Sequence, residues 1–287
     1  MLRILDICYP YVTFITNLLT TELRKVPLIL LLLVSFVAQS QIDLAPLLAT
    51  TGTQAPAKER IQERLRSFIE PLSSSHLTGQ RLLRKTFNRV HATFLKQYLA
   101  YSDFDKVFST GQYDCLTATT LFSQVLDQLN FSYDIIETNY HIFIVVNTEN
   151  GKVLLETTDR FGGFVTDKKE IIKRIGDYRK NEITADNSNK FIYQYSFRLY
   201  QKITREKLTG LLYFNQSVKA YNRHDWIASS KLLEKSNALY ASSRCEELGA
   251  ILIQTVLETS MEEKEKTDCL FHIKNFWIKK SETLASN

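Results

Sequence analysis

The sequence predicts an α+β protein in which a helix that carries a cysteine packs on an antiparallel sheet, followed by an all-α region. Three observations lead to this fold class. An amphipathic segment of about four helical turns begins after Asp114, strand-like segments follow it with an Asn-Gly turn between two of them, and residues 204–287 have helical periodicity. The chain of 287 residues, 44% of them hydrophobic and 23% charged, is large enough to bury a core.

The first 40 residues differ in composition from the rest of the chain. After Arg24 and Lys25 comes an apolar run, residues 26–38. Its last residue is Ala38, and a second small residue, Ser40, follows two positions later. This order is typical of a secretory signal peptide, and the run is shorter than the about 20 residues of a membrane-spanning helix. We therefore interpret residues 1–40 as a signal peptide or N-terminal hydrophobic segment, and we expect an exported protein, periplasmic or secreted, or anchored in the membrane by this segment.

The main domain is predicted to cover residues 58–203. Residues 41–57, which contain two Pro and a Thr-Gly cluster, are predicted to be a linker that leads into it. Amphipathic helices are predicted over residues 58–70 and from Thr78. Beyond the segment that starts at Asp114, the strand-like runs are residues 133–137, 141–147, 152–158 and 191–200.

The segment that starts at Asp114 is predicted to place a reactive cysteine at the beginning of a helix. Asp114 has the chemistry of an N-cap, which puts Cys115 in the first helical turn. The unpaired amides and the positive end of the helix dipole stabilise a thiolate there. Cys115 is therefore the candidate nucleophile. Its backbone N–H is the candidate oxyanion donor, with the side chain of Gln112 as the candidate second donor.

His141 is the candidate general base, and a carboxylate after the next strand is the candidate group that orients it. Which carboxylate does so depends on the register of the predicted hairpin. If the turn is centred just before Glu149, His141 faces Glu156. If it is centred on the Asn-Gly pair, His141 faces Arg160 and Asp159 becomes a neighbour. Both alternatives follow from the sequence.

In the order Cys, His, acid, the chain resembles the transglutaminase-like superfamily, which has a papain-like cysteine-hydrolase core. The resemblance covers roughly residues 80–165 and rests on the motifs at 111–115, 140–143 and 153–158. The family usually has Asp followed by Pro and Thr where this chain has Glu156 followed by two Thr.

The resemblance implies a triad of Cys115, His141 and Glu156, with Asp159 as the alternate acid. It also implies an enzyme that acts on an amide bond of a peptide, protein or other substrate through a thioester, with water or an amine as acceptor. A protein of this fold that has lost turnover, and that serves as a binding or scaffold module of the cell envelope, is the alternative.

Residues 204–287 are predicted to form a helical tail. Trp226, followed by Ser229 and Ser236, resembles the second helix of a tetratricopeptide repeat, in which small residues seven apart let paired helices approach closely. The resemblance covers one repeat length, residues 211–244. A tail of this kind offers a surface to a protein partner.

Several functional classes do not fit the composition. The net charge of +5 comes from 36 basic and 31 acidic residues spread along the chain, without the basic clusters and interleaved aromatics of a nucleic-acid site. No His/Cys set has the spacing of zinc ligands and no Gly-rich loop could cradle phosphate, so we expect neither metal nor cofactor. Cys245 and Cys269 either form a disulfide or are separate core thiols.

Overall fold

The computed structural model describes residues 42–180 and 199–285, with side chains described as far as residue 275. The predicted signal peptide, residues 1–40, lies outside the described residues, and so does most of the strand predicted at 191–200. The described residues belong to one compact unit, in which the predicted main domain and the helical tail are not separated.

The structure is a mixed α+β fold, as predicted. The helices of the described residues are α1 (Ala45–Ala49), α2 (Ala55–Ser73), α3 (Gly79–Thr93), α4 (Phe104–Ser109), α5 (Cys115–Gln128), α6 (Lys168–Lys180), α7 (Arg205–Tyr221), α8 (Trp226–Leu239), α9 (Ser243–Glu258) and α10 (Glu263–Ala285). The strands are β1 (Gln97–Tyr98), β2 (Gln112–Tyr113), β3 (Ser132–Thr138), β4 (Ile142–Thr148), β5 (Gly151–Leu155), β6 (Phe164–Val165) and β7 (Tyr200–Ile203).

The main sheet is antiparallel throughout, with the strand order β6-β5-β4-β3-β7. Alternate residues of β4 point to opposite faces. Ile142 and Ile144 belong to the large core that contains α5, whereas Phe143 and Val145 belong to a smaller core that contains Ile171 of α6. The sheet is therefore covered by helices on both faces, which explains why β4 is apolar on both sides.

Helix α5 begins at Cys115 because Asp114 caps it. The Asp114 carboxylate accepts a hydrogen bond from the backbone N–H of Thr117 at 2.7 Å, and the Thr117 hydroxyl accepts one from the backbone N–H of Asp114 at 2.8 Å. This reciprocal pair is a capping box. Asn215 of α7 adds a hydrogen bond to the second oxygen of Asp114 at 3.2 Å, so the tail contacts the cap of the cysteine helix.

The register of the β4–β5 hairpin differs from both alternatives considered from the sequence. Thr148 pairs with Gly151, so the turn is centred between Glu149 and Asn150. The two-residue loop is therefore Glu149-Asn150, and Gly151, the first residue of β5, has φ 106°, a backbone conformation that other residues rarely adopt. This register, continued past the end of β5, puts His141 opposite position 158, not opposite Glu156 or Arg160.

The linker predicted at residues 41–57 is wrong for the part that the structure describes. Residues 45–49 form α1, and residue 55 already begins α2. Leu44 and Leu48 are fully buried in the large core, and Leu47 is almost so. Their spacing of three and four residues builds one apolar side on a single helical turn, too short to show as periodicity.

The small residues of the helical tail lie between α7 and α8. The hydroxyl of Ser229 in α8 donates to the carbonyl of Ser217 in α7 at 2.9 Å, and Ser236 donates to the carbonyl of Gly210 at 2.8 Å. A Cβ on Gly210 would approach the Tyr240 Cβ to 2.6 Å. Small side chains therefore set the close approach of these two helices.

Cys245 and Cys269 are separate buried thiols, not a disulfide. Cys245 contacts the hydroxyl of Ser236 at 3.3 Å, and Cys269 contacts that of Ser230 at 3.5 Å. Within residues 42–180 and 199–285, no helix is both long and apolar enough to cross a membrane.

The cap of α5 should contribute more to stability than an exposed cap of the same residue type. Asp114→Ala leaves the buried Thr117 and the half-buried Asn215 without their acceptor, and we expect it to lower the free energy of unfolding by about 2 kcal/mol. Asp225→Ala, at the exposed N-cap of α8, is the matched control and should cost less than about 1 kcal/mol. Urea unfolding of both variants measures the difference, and equal losses would contradict this account of the cap.

Candidate active site

Cys115, His141 and Glu156 meet at one end of the sheet. Cys115 is the first residue of α5, His141 immediately precedes β4, and Glu156 immediately follows β5. Cys115 is partly exposed, and its side chain is within hydrogen-bonding reach of His141. The side chain of Glu156 is only 9% exposed and that of His141 is 23% exposed. The arrangement therefore presents a solvent-accessible thiol next to a largely buried His–Glu pair.

A hydrogen bond joins His141 and Glu156. The distance between His141 Nε2 and Glu156 Oε2 is 2.5 Å. They meet on the diagonal of the hairpin, because the register puts His141 opposite position 158, two residues after Glu156. Since Nε2 is used by Glu156, Nδ1 is the ring nitrogen left for Cys115.

The charges of the pair stabilise each other against the cost of burial. Burial lowers the pKa of His141, but the charge of Glu156 and hydrogen bonds with Cys115 and Glu156 raise it, and the resulting pKa is about 10. Burial raises the pKa of Glu156, and His141 outweighs it, so this pKa lies below its usual range. At neutral pH the pair is an imidazolium beside a carboxylate.

Two further side chains hold Glu156 in place. Thr158 donates its hydroxyl to Glu156 Oε1 at 2.9 Å, and Tyr178 of α6 donates its hydroxyl to Oε2 at 3.0 Å. The ring of Tyr178 also packs on those of His141 and Phe143, with centroid distances of 5.2 and 4.7 Å. Tyr178 was not a predicted site residue, because nothing in the sequence relates its helix to a hairpin more than 20 positions away.

Thr119 ties the cysteine helix to both ends of the hairpin. It lies one turn after Cys115, on the same side of α5. Its buried hydroxyl is 3.0 Å from that of Thr157, next to Glu156, and 3.3 Å from the carbonyl of Ile142, next to His141. One side chain therefore connects the three segments that carry the site.

The alternate acid and the predicted oxyanion residue occupy different positions. Asp159 does not bond to His141: its carboxylate accepts hydrogen bonds from the backbone N–H groups of Phe161 at 3.0 Å and Gly162 at 2.8 Å. It shapes the loop after Glu156. Gln112 lies in β2 and is half-buried, three residues before Cys115, and its part in an oxyanion hole stays a prediction.

The comparisons with known proteins give this site no relative. No family model, no curated protein and no solved structure matches the chain. The assignment of the site therefore depends on its own geometry and chemistry.

Three exposed apolar side chains lie on a segment next to the one that leads into Cys115. Tyr98, Leu99 and Tyr101 expose 56%, 44% and 40% of their surfaces. Their segment runs beside the one that leads into Cys115, since the backbone N–H of Leu99 donates to the carbonyl of Tyr113 at 2.8 Å. Three neighbouring exposed apolar side chains are typical of a surface that binds something.

Metal binding has no support in the described part of the chain. Among residues 42–180 and 199–275, no group of three or more His, Cys, Asp and Glu side chains could hold a metal ion. His141 bonds to Glu156 and has Cys115 as a neighbour, an arrangement suited to proton transfer.

Replacement of Glu156 should lower the pKa of His141. In Glu156→Gln the charge that raises this pKa is lost and burial remains, so we expect the pKa to fall by at least ~2 units. Asp159→Asn removes a carboxylate of the same loop that does not bond to His141, and it should leave this pKa unchanged. Proton NMR titration of the His141 ring measures both, and a larger effect of the Asp159 variant would contradict the assignment of the acid.

Proposed function

We propose that this protein is an exported cysteine hydrolase or acyltransferase of the transglutaminase-like, papain-type class that acts on an amide bond. The observation that carries the proposal is the hydrogen bond between His141 and the buried Glu156 carboxylate, with the partly exposed Cys115, at the start of α5, as the other neighbour of the same imidazole. Nucleophile, base and orienting acid in this relation are the parts that thiol-based acyl transfer requires.

The first half of the reaction forms a thioester. The Cys115 thiolate, stabilised by the imidazolium of His141 and by the first turn of α5, attacks the amide carbonyl. The backbone N–H of Cys115 has no partner within the helix and is available to the developing oxyanion. The C–N bond then breaks, His141 gives its proton to the leaving amine, and the acyl group stays on the sulfur.

The second half of the reaction releases the acyl group. His141, now neutral, takes a proton from water or from an acceptor amine, which attacks the thioester carbonyl. The C–S bond breaks, and the products are a carboxylic acid or a new amide, the thiolate and the imidazolium. Glu156 stays ionised through both halves, because its hydrogen bonds with His141, Thr158 and Tyr178 favour the charged form.

The surroundings of the thiol support a substrate with a large apolar group near the scissile bond. Tyr98, Leu99 and Tyr101 present exposed apolar surface beside the Cys115 segment. Burial of one aromatic side chain on such a surface is favourable by about 1.5–3 kcal/mol. The apolar run before residue 40 supports export, where a peptide or protein of the cell envelope is the substrate class.

The acyl-transfer chemistry can be tested with two activated substrates. We expect the full-length protein to cleave the p-nitrophenyl ester and the p-nitroanilide of N-acetyl-tyrosine, with an acyl adduct on Cys115 in acid-quenched samples. His141→Gln should reduce turnover about 100-fold or more, because the proton-transfer group is lost. Cys115→Ala should form no adduct, whereas Cys269→Ala, which removes a buried thiol elsewhere, should behave as wild type.

Absorbance of the released nitrophenol or nitroaniline gives the rate, and intact-protein mass spectrometry locates the acyl group. Addition of a primary amine such as glycine methyl ester distinguishes hydrolysis from transamidation by the mass of the product. Adducts that persist in Cys115→Ala, or turnover that is indifferent to His141, would overturn the proposal and leave a binding module of the cell envelope.

A further inference from the structure

A buried ionic network joins the helical tail to the strand that leads into the site. Glu137, at the end of β3, is 1% exposed, and Arg244, in the first turn of α9, is 9% exposed. The Arg244 Nε donates to Glu137 Oε1 at 2.8 Å. Tyr240 donates to Oε2 at 2.5 Å, and Gln201 of β7 donates to the same oxygen at 3.2 Å. Both oxygens of the buried carboxylate are thereby bonded.

Arg244 also bonds to the turn that carries His141. Its Nη2 donates to the carbonyl oxygen of Thr138. The same Thr138 is bonded to His141 three times: its backbone N–H donates to the His141 carbonyl at 2.8 Å, its hydroxyl also contacts that carbonyl at 3.1 Å, and the hydroxyl accepts from the His141 backbone N–H at 3.1 Å. A continuous chain of hydrogen bonds therefore runs from the tail to the backbone of His141.

Stability alone does not account for a network of this kind. A buried ion pair costs desolvation energy that its attraction only partly recovers, and apolar residues of similar volume are often as stabilising. What a bonded ion pair adds is a fixed geometry, since the planar guanidinium reaches two acceptors in set directions. Here the two acceptors are the Glu137 carboxylate and the Thr138 carbonyl, on the last two residues of β3.

We propose that Arg244 is a positioning residue for His141, through which the helical tail fixes the approach of the imidazole to Glu156 and Cys115. The proposal rests on the function proposed above for the importance of that geometry, but it concerns the placement of His141 and can be read without activity. In this proposal the helical tail contributes a residue to the site. That role is separate from any binding of a protein partner by the tail.

The test compares three variants of the full-length protein. Arg244→Lys keeps the charge, so it should fold. Its ammonium group cannot reach both acceptors in the geometry of the guanidinium. Arg244→Met removes the charge and keeps the length. The double variant Glu137→Gln with Arg244→Met removes both charges and leaves no unpaired carboxylate. Lys231→Met is the matched control, because Lys231 belongs to an exposed ion pair of the tail with Asp268, 2.9 Å apart, that does not touch the turn.

The main readout is the pKa of His141 from proton NMR titration, since this pKa depends on the contacts of the ring with Glu156 and Cys115. We expect Arg244→Lys and the double variant, which leave the net charge of the network unchanged, to lower it by about 1 unit or more, while Lys231→Met leaves it unchanged. Urea unfolding is the second readout, and the double variant should recover part of the stability lost in Arg244→Met.

The outcomes separate positioning from simple stabilisation. A His141 pKa that stays at the wild-type value in Arg244→Lys and in the double variant would overturn the proposal, even if both variants are less stable. Failure of Arg244→Met alone to fold would leave the other two variants to decide. If the wild type shows no acyl transfer, the proposed function fails, whereas the dependence of the His141 pKa on Arg244 is still measured.

Discussion

The hydrogen-bonded ion pair between His141 and Glu156 is the interaction on which the rest of the site depends. Both groups are largely buried, and burial alone would neutralise each of them. Their mutual attraction at 2.5 Å reverses this and keeps both charged at neutral pH. Hydrogen bonds from Thr158 and Tyr178 complete the contacts of the carboxylate. Cys115 is a neighbour of the imidazole.

The fold brings these groups together by fixing the ends of three elements. Asp114 determines where α5 begins, and therefore where Cys115 lies. Thr119 bonds α5 to the segments next to His141 and Glu156, and Arg244 bonds the tail to the turn before His141. Each of these contacts joins parts of the chain that are distant in sequence, so the site is a product of the tertiary structure and not of one local motif.

Much of the site could be predicted from local patterns, because its members lie at the ends of regular elements. Helical periodicity after Asp114 located Cys115, and strand alternation with an Asn-Gly turn located His141 and the hairpin. The pairing of His141 with Glu156 could not be derived in this way. In the actual register His141 faces position 158, two positions from Glu156 and two from Arg160. Glu156, which lies beyond the end of β5, reaches His141 diagonally.

Long-range contacts account for what the sequence did not predict. Tyr178 and Arg244 reach the site from helices whose place in the fold depends on which faces they bury, and such side chains have no local signal. The short helix at residues 45–49 was mistaken for a linker because a single turn has too few residues for periodicity to be recognised. Its burial depends on the core that the rest of the chain provides.

The most direct test of the account is the rate at which iodoacetamide alkylates Cys115 between pH 5 and 9, followed by peptide mass mapping in the wild type and in His141→Ala. If the contact with His141 activates the thiol, the wild type is alkylated much faster than His141→Ala at pH 7. The two rates should approach each other towards pH 9, because a thiol reacts faster there without the help of a base. Identical pH profiles for the two proteins would contradict a functional Cys115–His141 pair.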